Sequence, residues 1–238
     1  MANPAFNEAS YKWLTQEGQE VMTLQGTINK SLMLIALVIA AAVGVWNYAA
    51  LFLPFLLPIV LVAFVLSLVI IYKKETAPYL APVYALIEWV AIGTISVFYE
   101  TQLPGIVIQA VTLTFAVSGL MLFLYKARII VVTEKFRSII MTATGAIMIM
   151  YLISLLGNLT WWFSMPFLHS NGAISIGISV FITGIAAFNL LLDFDVMEQG
   201  VAAKAPKYME WYASFGLLIT LVWLYLEILR LLSKFRSR

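Results

Sequence analysis

From Ser138 to Leu192 the chain runs for 55 residues without one formal charge, and from Ser31 to Tyr72 it does so for 42. Soluble domains place Asp, Glu, Lys or Arg at about a quarter of their positions; here the share is 11%, with 63% of residues hydrophobic. Runs this long far exceed the roughly 9–11 alternating residues of a membrane-barrel strand. They suit helices, each of which needs about 20 apolar residues to cross the hydrocarbon layer. The sequence therefore predicts an all-α membrane protein.

Seven spans can be marked off. The first two cover about 30–47 and 50–72, separated by the interfacial "WNY" at Trp46–Tyr48. The next three cover about 80–98, 104–125 and 138–157, with the basic "KARIIVVTEKFR" (126–137) too short to cross. The sixth covers about 172–192, and the seventh starts near Pro206, a residue suited to a first helical turn, and reaches about Leu232. The predicted organisation is a polar arm, residues 1–28, followed by one seven-helix domain, 29–238. That arm lacks the basic start, apolar core and cleavage site of a signal peptide. Trp161–Trp162 lie in an aromatic loop suited to the headgroup zone, and Gly145 sits among small residues that permit close helix packing.

Orientation follows from the lysines and arginines. Alternating spans put Lys12, Lys30, Lys73, Lys74, Lys126, Arg128, Lys135, Arg137, Lys204 and Lys207 on one side, 10 of the 14 basic residues. That side, and the N-terminus with it, is predicted to be cytoplasmic. Arg230, Lys234, Arg236 and Arg238 fall on the other side if all seven helices cross.

Several function classes drop out. Basic residues form no nucleic-acid footprint. There are no cysteines, which excludes disulfides and thiolate sites, and a single histidine, His169, excludes a His-cluster metal site. No nucleophile–base pair, phosphate-cradling loop or cofactor fingerprint occurs, so neither an enzyme nor a resident cofactor is expected.

The candidates are the acids in or near the spans, because ionisable groups within a membrane cost free energy and usually have a role. Glu88 falls about eight residues into the third span, Glu100 at the boundary of that span, and Glu227 about 20 residues into the last helix. Arg230, three positions after Glu227, stands in the favourable order for a helical ion pair. In "NLLLDFDVMEQG" (189–200), Asp193 and Asp195 point about 200° apart on a helix. Asp193 shares a face with Asn189, and Asp195 with Glu198 and Gln199. The cluster reads either as a solvated helix end or as part of an ion path; the glycine turn and spacing of an EF-hand loop are missing.

Four blocks, "PVYALIEWVAIGTISVFYE" (82–100), "PGIVIQAVTLTFAVSGLMLFLY" (104–125), "LLLDFDVMEQG" (190–200) and "LYLEILRLL" (224–232), resemble the Bax inhibitor-1 (TMBIM) family. With "APKYMEWYASFGLLITLVWLYLEILRLL" (205–232), they resemble more closely its bacterial YccA-like branch. The resemblance implies six helices around a central seventh. It also implies a pH-sensitive calcium leak, in which two aspartates on the last two helices share a proton and gate a pore, and a basic residue near the second and third helices locks one of them. The first acid then matches Asp193 or Asp195, the second Glu227, and the lock Lys73 or Lys74. Two departures stand out. Glu227 replaces the aspartate, and "AAKAPKYMEW" (202–211) lengthens the connection. A hairpin turning near Lys204–Pro206 puts Asp193 opposite a residue near 215, leaving Glu210 as its partner or no tight pair.

Two carboxylates in a low-dielectric bundle cannot both ionise cheaply, so such a pair holds a proton between them. An acidic, water-filled path favours divalent cations over anions. One expectation is therefore a cation leak through Asp193, Asp195, Glu227 and Glu88, with calcium ions and protons as its ligands and the bilayer as its surroundings. The other is a regulatory protein that binds a membrane-protein partner, such as a protease, without ion flux.

Overall fold

The computed structural model describes residues 20–160 and 172–237. Residues 1–19, residues 161–171 with Trp161, Trp162 and His169, and Arg238 lie outside the described residues. Among the described residues, seven helical segments are long and apolar enough to cross a membrane. The first is α1, Leu24–Val45. The second span, Ala49–Tyr72, opens with one turn, Ala49–Phe52, and a tighter turn, Leu53–Phe55, before α2, Leu56–Tyr72. Then come α3, Ala77–Gln102, α4, Ile106–Lys126, and α5, Glu134–Thr160. The last two are α6, Ala173–Ala202, and α7, Met209–Arg236.

Local chemistry explains several boundaries. Thr23 caps α1: its hydroxyl accepts from Gly26 N at 3.0 Å, satisfying a first-turn amide. Pro54 and Pro58 fall in opening turns, where a missing N–H costs little. Gly105 turns the chain into α4 with φ 81°, a left-handed geometry that glycine adopts freely.

The sixth helix departs from the sequence expectation. It continues ten residues past Leu192, through the whole acidic cluster, to Ala202. Its stop is a left-handed cap at Lys204 (φ 52°), with Ala205 N donating to Gly200 O at 2.9 Å and Lys204 N to Val201 O at 3.1 Å. These are the paired bonds of a Schellman ending. The carboxylates thus lie on helix, not in a loop.

The described residues form two compact units. The first takes the chain up to Thr101 with Asp193–Ile219, hence α1 to α3, the end of α6 and the start of α7. Its core includes Leu34, Ile70, Ala81, Tyr84, Ala85, Met209 and Phe215. The second takes Gln102–Leu192 with Thr220–Arg238. There Ile140, Ile147, Ile182 and Ile185 pack with Phe136, Phe188 and Trp223.

Burial is greatest in the last two helices, with α3 close behind. Half of the apolar stretch of α6 and of α7 is enclosed, and 44% in the span that holds α3, against 17–18% in α1, α2, α4 and α5. The expected enclosed C-terminal helix is present, with α6 equally enclosed. Exposed Leu57, Leu61, Phe64, Val65, Phe115 and Phe123 give the outer helices the apolar surface that lipid requires.

The connection between α6 and α7 lies against the start of the described chain. Val21 and Pro206 form an antiparallel bridge, Met22 N donates to Ala205 O at 2.7 Å, and Lys207 N donates to Glu20 O at 3.0 Å. At its other end, α7 places Arg236 Nη1 2.8 Å from Pro104 O. The last helix therefore begins beside the segment ahead of α1 and ends beside the turn that follows α3.

Candidate functional site

Two carboxylates on α7 are fully enclosed, one near each end. Glu210 is 0% exposed and Glu227 1%. Seventeen residues apart on one helix, they are separated by about 26 Å at 1.5 Å per residue, close to the roughly 30 Å of a hydrocarbon core. The stretch between them carries no charge.

Glu210 lies in the first turn of α7, where a negative charge suits the helix dipole. Its Oε1 accepts from Thr23 N at 2.8 Å and from Thr23 Oγ1 at 2.9 Å. Its Oε2 pairs with Lys30 of α1, and Lys207 Nζ stands 3.3 Å from Oε1. Gly26 makes room for this cluster, because a Cβ there would overlap the carboxylate. One turn on, Ser214 Oγ receives a bond from Ser31 Oγ at 3.0 Å and lies 3.0 Å from Thr27 O. Two successive turns of α7 are thereby tied to α1. Sequence reading raised Glu210 only as an alternative partner for Asp193; Lys30 entered only as an orientation determinant, and Thr23 and Gly26 not at all. No local signal could find them, since they lie 180 or more positions away.

Glu227 is held mainly by its own helix. Trp223 Nε1, one turn before, is 3.2 Å from Oε1, and Arg230 Nη1 is 3.2 Å from both oxygens. Tyr151 of α5 donates to Oε1 at 2.7 Å, and the Arg230 guanidinium lies 5.0 Å from the centre of the Tyr151 ring. One turn beyond, the Lys234 ammonium is buried on Ser175 Oγ (2.7 Å) and Ser179 Oγ (2.8 Å) of α6. The i, i+3 ion pair with Arg230 matches the sequence reading; Tyr151 and the two serines do not appear in it.

The two aspartates go separate ways. Asp195 Oδ2 accepts from Gln199 Nε2 at 2.8 Å along α6. Asp193 is half-buried and faces Gly216: a Cβ on that glycine would stand 3.7 Å from Asp193 Oδ1. The residue opposite Asp193 is thus 216, and Glu227 lies eleven residues further along α7, about 16 Å. Glu88 is half-buried on α3 and accepts a hydrogen bond from Tyr84, one turn earlier. The Tyr84 ring meets Phe215 edge-on at 5.0 Å. Asp193 and Glu88 are in this way both brought to the level of Phe215–Gly216, within the first unit.

Of the remaining candidates, Lys73 is exposed at the end of α2, and Lys74 Nζ lies over the Tyr212 ring at 5.2 Å. Glu100 falls in the last turn of α3. Among the described residues no group of three or more metal-ligating side chains is gathered.

The model of a family described as Bax inhibitor 1 like matches residues 3–237. The chain belongs to that family. Membership covers every block that carried the resemblance, and it agrees with a polytopic helix bundle. No curated protein and no solved structure matches the chain significantly.

Proposed function

We propose that this Bax inhibitor 1 like protein is a proton-sensitive cation leak, with calcium as its cargo, and that Asp193 is the carboxylate on which the leak depends. The observation that supports it is the placement of Asp193 against Gly216. A half-buried carboxylate within α6, facing a residue with no side chain, can approach the α7 backbone closely there. Glu88, at the same level of α7 through Tyr84 and Phe215, is the second acid of the path. Asp195 lies nearer the end of α6 and serves the entrance.

Glu227 has a different role in this reading. Its two oxygens are engaged by Arg230, Tyr151 and Trp223, which makes it a tie between α5 and α7 and not the proton-sharing partner of an aspartate. Lys74, seated on Tyr212, is the basic group nearest the start of α7 on the α2–α3 side and takes the place of the lock. Protonation of Asp193 removes the charge that draws a cation in, so flux rises with pH as that proton leaves.

The terminal block, residues 205–232, further supports assignment to the bacterial YccA-like branch, in an inner membrane with the N-terminal side cytoplasmic. Purified protein in calcium-loaded liposomes should release calcium faster at pH 8 than at pH 5. Absence of efflux across that range would overturn the leak in favour of a regulatory protein that binds a membrane partner.

A further inference from the structure

The first unit contains an assembly that the leak itself does not require. Glu20 to Met22 pair with Ala205–Lys207 through two backbone hydrogen bonds, with Lys207 Nζ 3.8 Å from the Glu20 carboxylate and Met22 buried beside Gly200. Immediately after, Thr23 delivers two hydrogen bonds to Glu210, and Lys30 delivers a charge. The acceptor carboxylate is wholly enclosed, so its charge is tolerable only while those donors stay in place. Ser31 and Thr27 then tie Ser214 one turn deeper. Gly216, which faces Asp193, is two residues beyond Ser214 and six beyond Glu210.

We propose that Glu20–Ser31 is a latch, closed by the Glu210 carboxylate, which fixes the position of α7 at Gly216 and thereby holds the Asp193 passage in its low-flux arrangement; this deepens, and rests on, the assignment of the leak to Asp193. The geometry makes the latch discrete. A shift or rotation of α7 by a fraction of a turn withdraws Glu210 from Thr23 and Lys30 together, because both oxygens are occupied on one side. Gly26 allows the carboxylate to seat, and Lys207 holds it from the connection. The bridge at Val21 and Pro206 is a single pair with Val21 on the surface, backed by the buried Met22 side chain and the exposed Glu20–Lys207 pair. Short, exposed pairings of this kind open locally at low free energy.

The chain has no cysteine, so one introduced pair is the only disulfide that can form. Residues facing each other in an antiparallel bridge have Cα atoms about 4.5–5.5 Å apart, within the roughly 4.4–6.8 Å that a disulfide spans. Val21→Cys with Pro206→Cys therefore closes the latch covalently under oxidation. The measurement is calcium efflux from liposomes at pH 6, paired with hydrogen exchange at the amides of residues 209–218.

The latch predicts that oxidation of the cysteine pair lowers efflux about tenfold and that a reductant restores it. Glu210→Gln should raise both efflux and exchange about tenfold, and oxidation of the pair in that background should bring both down. Equal efflux from oxidised and reduced protein overturns the proposal, as does a folded Glu210→Gln protein with unchanged efflux and exchange. If the unmodified protein releases no calcium at any pH, the leak reading fails. The latch is then judged on exchange alone, and equal exchange with the pair oxidised or reduced in Glu210→Gln overturns it too.

Discussion

Glu210 and Glu227 lie on one helix, both enclosed and both paired with a basic side chain, yet their partners come from opposite kinds of place. Every group on Glu227 except Tyr151 belongs to its own helix, within four residues. Every donor on Glu210 except Lys207 lies 180 or 187 residues away in sequence. A carboxylate satisfied by its own helix moves with that helix and says little about the helix's position. One satisfied by a distant segment fixes where its helix can be. The difference also extends to water. Arg230 keeps 34% of its side chain exposed and Lys30 only 19%, so a broken pair is more easily hydrated at the Glu227 end.

That contrast can be broken in order of size. The largest effect should come from Lys30→Ala, which leaves the enclosed Glu210 carboxylate with only Lys207 as a cation, at a cost of about 3–5 kcal/mol. Reversible unfolding in detergent measures it, and the paired replacement Lys30→Met with Glu210→Met should recover most of the loss. Gly26→Ala comes next, at about 1–3 kcal/mol, because the new methyl meets the Glu210 carboxylate. In a Glu210→Ala background the same change should cost much less, and a double-mutant cycle reads that coupling. Glu227→Gln should cost about 1–2 kcal/mol, since the amide oxygen still accepts from Tyr151 and Trp223 while Arg230 turns to water. Ser31→Ala should be smallest, at about 0.5–1.5 kcal/mol for one hydrogen bond to Ser214. Equal losses for the first and third of these changes would erase the contrast.

The same division explains what could be read from the sequence. Seven spans follow from apolar length, because each long apolar run has to satisfy its backbone as helix in lipid. The Glu227–Arg230 pair was legible for the same reason: helical spacing is a local rule. The end of α6 was not. Hydropathy falls at Asp193, but helix hydrogen bonds are indifferent to side-chain charge, and the stop came from Lys204 in a conformation usually taken by glycine. Glu210 was read as part of a lengthened connection, since only the fold brings Thr23 and Lys30 to it. Gly216 opposite Asp193 follows from counting along a hairpin, and the count depends on where that hairpin turns.

The placement of Asp193 against Gly216, with Glu227 eleven residues further along α7, makes one comparison decisive for the leak. Calcium efflux from liposomes between pH 5 and pH 8 should be measured for the unmodified protein, Asp193→Asn and Glu227→Gln side by side. Asp193→Asn should flatten the rise of efflux with pH, while Glu227→Gln should keep it, at whatever absolute rate its stability allows. A pH response that survives Asp193→Asn and disappears in Glu227→Gln would contradict the account.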